Sequence, residues 1–239
     1  MTETRTGAFN DLIAQPETHV ALDLAGDARA LLILFGGIAG GVSMPVFEFF
    51  RLTAGMPGKK AFLRDPRRGW YQLGIPGVGP GATDVRRYLD GVIAAADVDR
   101  VVMAGASAGG YAAMLFGAWC GAHEVLAFSP QTFIDPAGRA AAADDRWAPQ
   151  IADLYASQPA DAVLDLLPLL MDAGPDLPRI AVHVSTDDPL DLLHAHRLGG
   201  LPQVTITEHD RGGHRLVKTL RDRGLLGPML QRALRGPGE

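Results

Sequence analysis

The chain is poor in cysteine, in aromatic side chains and in unbroken apolar runs, and it carries no excess of positive charge. Each shortage removes a class of protein. The single cysteine, Cys120, cannot close an internal disulfide, so nothing points to an oxidising compartment. Lysine and arginine total 22 against 27 acidic side chains, a net charge of −5. That argues against nucleic acid as the main partner, because neutralising phosphates takes a basic face. The polar N-terminus lacks an apolar core followed by small residues, so no signal peptide is expected. The 18 uncharged residues from Ala30 to Phe47 are long enough to nominate a membrane helix. They contain Gly36, Gly37, Gly40, Gly41 and Pro45, however, and a buried strand, a glycine loop and a new helix account for them better. A soluble, cytoplasmic protein without membrane insertion is the expectation.

What remains is an ordinary globular composition, 47% hydrophobic and 21% charged over 239 residues, which fits one large α/β domain. No repeat, charge block or linker divides it. Short apolar runs read as strands at His19–Leu24, Ala30–Phe35, Lys60–Leu63, Arg100–Ala104, Glu124–Phe128, Arg179–Ser185 and Val204–Glu208. Several are apolar at nearly every position, as in a sheet covered on both faces. Helical patterns alternate with them: one capped by Thr83, then Ala108–Trp119, Asp161–Met171, Leu190–Leu198 and His214–Arg223. This alternation predicts a mostly parallel central sheet with helices on both faces. The short Ala25–Ala28 turn predicts an antiparallel hairpin between the first two strands.

The most informative stretch runs strand, Gly105-Ala106-Ser107-Ala108-Gly109, helix. This is the G-x-S-x-G nucleophile elbow in the context that gives it meaning. The turn is so tight that residues two away from the serine must lack bulk, and the serine hydroxyl is lifted above the sheet. A dinucleotide-binding loop is the rival, but the G-x-G-x-x-G spacing is absent and Glu124 opens its strand rather than closing it. No Gly-Lys-Ser/Thr follows, which excludes a P-loop. A serine hydroxyl needs a general base to react near neutral pH. Two loops in the last third, at the C-terminal ends of strands, supply an acid and then a histidine: Asp187-Asp188-Pro189-Leu190-Asp191 and His209-Asp210-Arg211-Gly212-Gly213-His214.

On Leu34-Phe-Gly-Gly-Ile-Ala-Gly, Gly105-Ala-Ser-Ala-Gly, Asp188-Pro-Leu-Asp and Gly212-Gly-His214, the chain resembles the α/β-hydrolase superfamily over nearly its full length. The resemblance implies an α/β-hydrolase fold spanning 1–239 as a single domain, with a modest cap insertion at about 131–177. It implies a catalytic set of Ser107, Asp188 and His214. Asp188 is the first choice of acid because it precedes proline; Asp191 is the reserve and Asp187 the third. All three could instead be carboxylates stabilised by a helix N-terminus. His209 is the weaker base, since it belongs to the strand end. The oxyanion hole would take the backbone N–H of Ala108 and, by resemblance, that of Ile38, or of Gly37 if the register slips. Phe35 or Gly36 stands where many relatives carry histidine, so what braces that loop is open.

Other signals read as structure. His183 lies mid-strand, and His194 and His196 sit two apart on a helix and point different ways. A metal site among Asp187, Asp188, Asp191, His194, His209, Asp210 and His214 would leave the serine elbow unexplained, so no metal and no cofactor are expected. The loop holding Trp70 and Tyr71 and the Phe128-Ser-Pro-Gln131 stretch follow strands on the side of the site. They are either plain loop packing or a substrate wall, with Trp70 or Tyr71 against the ligand and Gln131 orienting it. The expectation is a serine hydrolase cleaving a small-molecule carboxylic ester or thioester through an acyl-serine. The alternatives are an acyltransferase using the same residues and a non-catalytic hydrolase-like binding or scaffold protein.

Overall fold

The computed structural model describes residues 17–38, 49–157 and 161–236. Seven strands form one sheet: β1 (Val20–Asp23), β2 (Ala30–Phe35), β3 (Lys59–Leu63), β4 (Arg100–Ala106), β5 (Glu124–Phe128), β6 (Arg179–Ser185) and β7 (Val204–His209). The helices are α1 (Phe50–Thr53), α2 (Ala82–Ala96), α3 (Ala108–Trp119), α4 (Pro136–Ala141), α5 (Ala148–Ser157), α6 (Leu166–Asp172), α7 (Pro189–His196), α8 (Leu216–Asp222) and α9 (Leu226–Arg235). The expected strands are all present: β2, β5 and β6 have the expected bounds, and the ends of the others shift by one or two residues. The glycine loop and helix expected after β2 fall largely in 39–48, outside the described residues.

The strand order is β1-β3-β2-β4-β5-β6-β7, parallel except for β1. The hairpin expected between β1 and β2 does not form: β1 pairs antiparallel with β3, which lies between them. Its cause is burial. Leu31–Phe35 are at most 1% exposed, and so apolar a strand gains most with a partner on each edge. The weakly buried β1 is left at the sheet margin.

Side chains alternate along the strands into two cores. Leu31, Ile33 and Phe35 pack with Val85, Leu89, Met103 and Tyr111 on one face. Leu32 and Leu34 pack with Phe62, Val102, Leu216 and Leu230 on the other. Helix α2 starts one residue before Thr83. Gly81 holds the cap position, and the Asp84 carboxylate accepts the Gly81 N–H at 3.1 Å.

Between β5 and β6 an insertion carries α4, α5 and α6. Several bonds stitch it to the body. The Tyr111 hydroxyl donates to the Val163 carbonyl at 2.6 Å, Val163 N–H to Gln72 Oε1 at 2.8 Å, and Arg197 pairs with Asp165 at 2.6 Å. No helix among the described residues is long and apolar enough to cross a membrane.

Candidate active site

Ser107, Gln131, Asp191 and His214 follow the C-terminal ends of β4, β5, β6 and β7, neighbouring strands of the sheet, and they converge above it. Ser107 occupies the elbow with φ 53° and ψ −121°, outside the regions open to most side chains. The flanking glycines explain how the chain tolerates it. A Cβ on Gly105 would lie 2.1 Å from the Gly109 carbonyl oxygen, and one on Gly109 would lie 2.3 Å from the Phe35 carbonyl oxygen. The second contact also brings the end of β2, and with it the loop of Gly37 and buried Ile38, beside the start of α3. Ala108 is the first residue of that helix, where backbone N–H groups lack intrahelical acceptors.

His214 Nε2 stands 2.9 Å from Ser107 Oγ, and its Nδ1 stands 3.0 Å from both carboxylate oxygens of Asp191. A carboxylate only accepts, so Nδ1 carries the proton and Nε2 accepts from the serine hydroxyl. His209 is turned elsewhere: its Nε2 lies 3.3 Å from His183 Nδ1, and His183 stacks on Phe128.

The acid expected first is not the one against the imidazole. Asp188 is the N-cap of α7, with Pro189 in the first turn, and its Oδ1 accepts the Asp191 N–H at 3.0 Å. The helix start consumes its side chain, while Asp191, three residues on, is directed at His214. Asp187 holds the backbone instead. It accepts the N–H of Gly213 at 2.8 Å and of Gly212 at 3.3 Å, fixing the loop before His214. Gly212 and Gly213 have φ of 140° and 52°, which suits glycine. Asp188, Asp191 and His214 place donor atoms within 4.8 Å of one another. With Asp191 already shared by His214 and the Arg146 guanidinium at 2.8 Å, the cluster is poorly suited to a cation.

Trp70 and Tyr71 are wholly buried, which favours the loop-packing alternative over a substrate wall. The cause is Asp65, whose carboxylate accepts the N–H of Arg67, Gly69 and Tyr71 and winds the loop inward. Burial pushes that carboxyl upward against the pull of those hydrogen bonds. Arg68, Trp70 and Tyr71 take positive φ, and the aromatic side chains turn into the core. Tyr71 packs edge-on to Phe35 and Phe116, and its hydroxyl lies 3.0 and 3.1 Å from the Gly36 and Leu63 carbonyl oxygens. This braces the β2 loop in place of the missing histidine. The Trp70 indole donates to Gln131 Oε1 at 3.1 Å. Gln131 is 2% exposed, and both its amide atoms lie 3.2 Å from Ser107 Oγ. An indole N–H can only donate, so Oε1 faces Trp70 and Nε2 donates to the serine oxygen.

Sequence reasoning missed a further group. Arg146, on the insertion, reaches Asp191 and also grips Asp144 through Nε and Nη2 at 3.0 and 2.8 Å. His194 Nε2 lies 3.2 Å from Asp144, and His194 Nδ1 accepts the Thr132 N–H at 3.0 Å. Burial opposes the charge on Asp144, but hydrogen bonds from His194 and Arg146 outweigh it and hold the carboxyl well below the usual range. Asp191 is likewise lowered: burial opposes, and His214 and then Arg146 prevail. The Asp144-Asp145-Arg146 run is visible in the sequence, but no spacing rule links it to residues 45 positions away.

No family model and no curated protein matches the chain by sequence. Solved structures do. The capsule O-acetyltransferase of Neisseria meningitidis serogroup A superposes with a TM-score of 0.65 at 14% identity, over 89% of this chain and 91% of that one. The fold is that of the α/β-hydrolases. This α/β-hydrolase fold also matches fluorophosphonate-binding serine hydrolase F of Staphylococcus aureus, with a TM-score of 0.60 at 14% identity over 87% and 85% of the two chains. A serine hydrolase without a lid from Xanthomonas campestris gives a TM-score of 0.52 at 18% identity, over 91% and 89%.

Proposed function

We propose that the protein is a serine hydrolase that cleaves a carboxylic ester or thioester through an acyl-serine intermediate. The observation that carries this reading is the unbroken line from Ser107 Oγ through both ring nitrogens of His214 to buried Asp191. Ser107 Oγ attacks the acyl carbon while its proton passes to His214 Nε2. Asp191 holds the imidazole in the tautomer that can accept it and stabilises the imidazolium. The oxyanion is met by the N–H of Ala108 and of Ile38 or Gly37. Collapse expels the alcohol or thiol, which takes the proton from Nε2, and leaves an ester on Ser107. Water, deprotonated by His214, then releases the acid and restores the serine. Gln131 Nε2, 3.2 Å from Oγ, holds the serine oxygen in place for the attack.

Acyl transfer is the second reading, favoured by the likeness to an O-acetyltransferase. It differs only in that an acceptor hydroxyl, thiol or amine replaces water in the last step. Ser107→Ala decides the common part. The expected outcome is a folded protein that no longer reacts with a fluorophosphonate probe and loses ~10⁴-fold or more of its turnover of a chromogenic acetyl ester. Wild-type protein that takes no label, or a variant within tenfold of wild type, contradicts the reading. Product analysis with competing alcohols then separates hydrolysis from transfer.

A further inference from the structure

The insertion reaches into the catalytic line at one point. Asp191 is fully buried, its side chain 0% exposed, and it carries a second partner that the proposed reaction does not require: the guanidinium of Arg146, whose side chain is 19% exposed, at 2.8 Å. Arg146 is not left to choose its position. Asp144, 2% exposed, takes two of its nitrogens in a fork, and Asp144 is held in turn by His194. His194 accepts from Thr132 N–H, so its own proton sits on Nε2 and points at Asp144. Thr132 follows Gln131, whose amide touches Ser107. The groups therefore close a ring from Ser107 through His214, Asp191, Arg146, Asp144, His194 and Thr132 back to Gln131.

The charges in this ring have a consequence. Two buried carboxylates and one guanidinium leave a single net negative charge facing His214, the complement of one imidazolium. Without Arg146 the imidazole would face two. We propose that Arg146 is a positioning residue for this site: it clamps the carboxylate of Asp191 toward His214 Nδ1 and offsets its charge, and so sets the pH range in which His214 is a competent base. The inference rests on the acyl-serine reading. Other charged groups near the pair are Asp188 at the start of α7, Asp187 on the Gly213 backbone, Arg215 beside His214, and Arg139 of α4, 3.9 Å from Asp144. None of these bonds to the Asp191 carboxylate among the described residues.

The test is the acid limb of the rate of Ser107 labelling by a fluorophosphonate and of hydrolysis of a chromogenic acetyl ester, followed across pH. Removing a positive charge beside the acid favours the imidazolium, which cannot accept the serine proton. Arg146→Met is therefore expected to move the acid limb up and to lower the plateau. Asp144→Asn leaves the guanidinium less neutralised and moves the limb down. Arg146→Lys keeps the charge, loses the fork, and holds the limb near wild type with a lower plateau. Opposite shifts from two bonded partners are a signature that general loosening of the fold does not produce. Limbs of Arg146→Met and Asp144→Asn that coincide with wild type overturn the proposal while leaving the nucleophile intact. If Arg146→Met does not fold, the downward shift of Asp144→Asn and the retained limb of Arg146→Lys decide it. Wild-type protein that takes no label overturns the catalytic reading, and this inference falls with it.

Discussion

Replacing Asp191 by asparagine tests the geometry most directly, because the carboxylate serves two donors at once. His214 Nδ1 lies 3.0 Å from both its oxygens, and Arg146 Nη1 lies 2.8 Å from Oδ1. An amide has one accepting oxygen. If that oxygen faces Arg146, the NH2 group faces Nδ1 and drives the ring into the tautomer with its proton on Nε2, where it cannot take the serine proton. If it faces His214, the NH2 group abuts the guanidinium. The first arrangement is favoured because the guanidinium has the stronger demand for an acceptor. The expected loss in kcat is on the order of 10⁴-fold, or about 5.5 kcal/mol of transition-state stabilisation. Folding should suffer less. Breaking a buried ion pair costs ~3–5 kcal/mol, but Arg146 keeps its fork with Asp144, so about 2–3 kcal/mol is expected here. Asp188→Asn is the internal control. Asparagine caps a helix about as well as aspartate, so its stability should change by ~0.5 kcal/mol or less and its rate by no more than about threefold. Ester hydrolysis and urea unfolding on the same preparations measure both quantities. If Asp188→Asn is the more damaging of the two while both variants fold, the reasoning is refuted.

Two further outcomes follow from other parts of the structure. Gly109→Ala would drive a methyl group into the Phe35 carbonyl, 2.3 Å away, and should cost at or beyond the top of the ~1–3 kcal/mol range for overpacking while abolishing Ser107 labelling; a variant with wild-type midpoint and labelling would refute the packing account. His183 is 7% exposed, and burial together with neighbouring His209 lowers its pKa from 6.5 to about 4. The unfolded chain therefore binds the extra proton first, so stability rises with pH across that interval and is lost on acidification, by ~3 kcal/mol in total. His183→Gln should flatten the dependence of unfolding free energy between pH 7 and pH 4 by about that amount, and an unchanged slope would refute it.

The parts legible in the sequence were those set by local pattern. Strand–helix alternation placed the sheet, and the spacing of Gly105, Ser107 and Gly109 placed the elbow because the steric demand is contained in five residues. His214 was legible for the same reason, since two glycines let the chain turn after β7. The acid was not, because Asp187, Asp188 and Asp191 share a loop and a chemistry, and helix phase alone decides which reaches the imidazole. A signal did exist: an aspartate followed by proline is the pattern of a capped helix start, which spends the Asp188 side chain. Packing and substrate contact stay undecided for Trp70 and Tyr71 in the sequence because the fold of their loop depends on the buried Asp65 carboxylate. Arg146 was out of reach, since its contact with Asp191 spans two elements that only the tertiary fold brings together.

The stitching of the insertion to the body bears on how a substrate would enter. A cap that swings open must break only contacts that can re-form at little cost. Here the Tyr111–Val163, Gln72–Val163 and Arg197–Asp165 bonds and the Arg146–Asp191 pair would all have to open together. On the proposed mechanism, movement of the segment would thus loosen Asp191 at the moment His214 is needed as base. Turnover should accordingly show no lag and no activation at a lipid or detergent interface. For engineers the same anchoring limits loop grafting: a transplanted segment that lacks counterparts of Asp144 and Arg146 would leave the buried Asp191 carboxylate without its second partner.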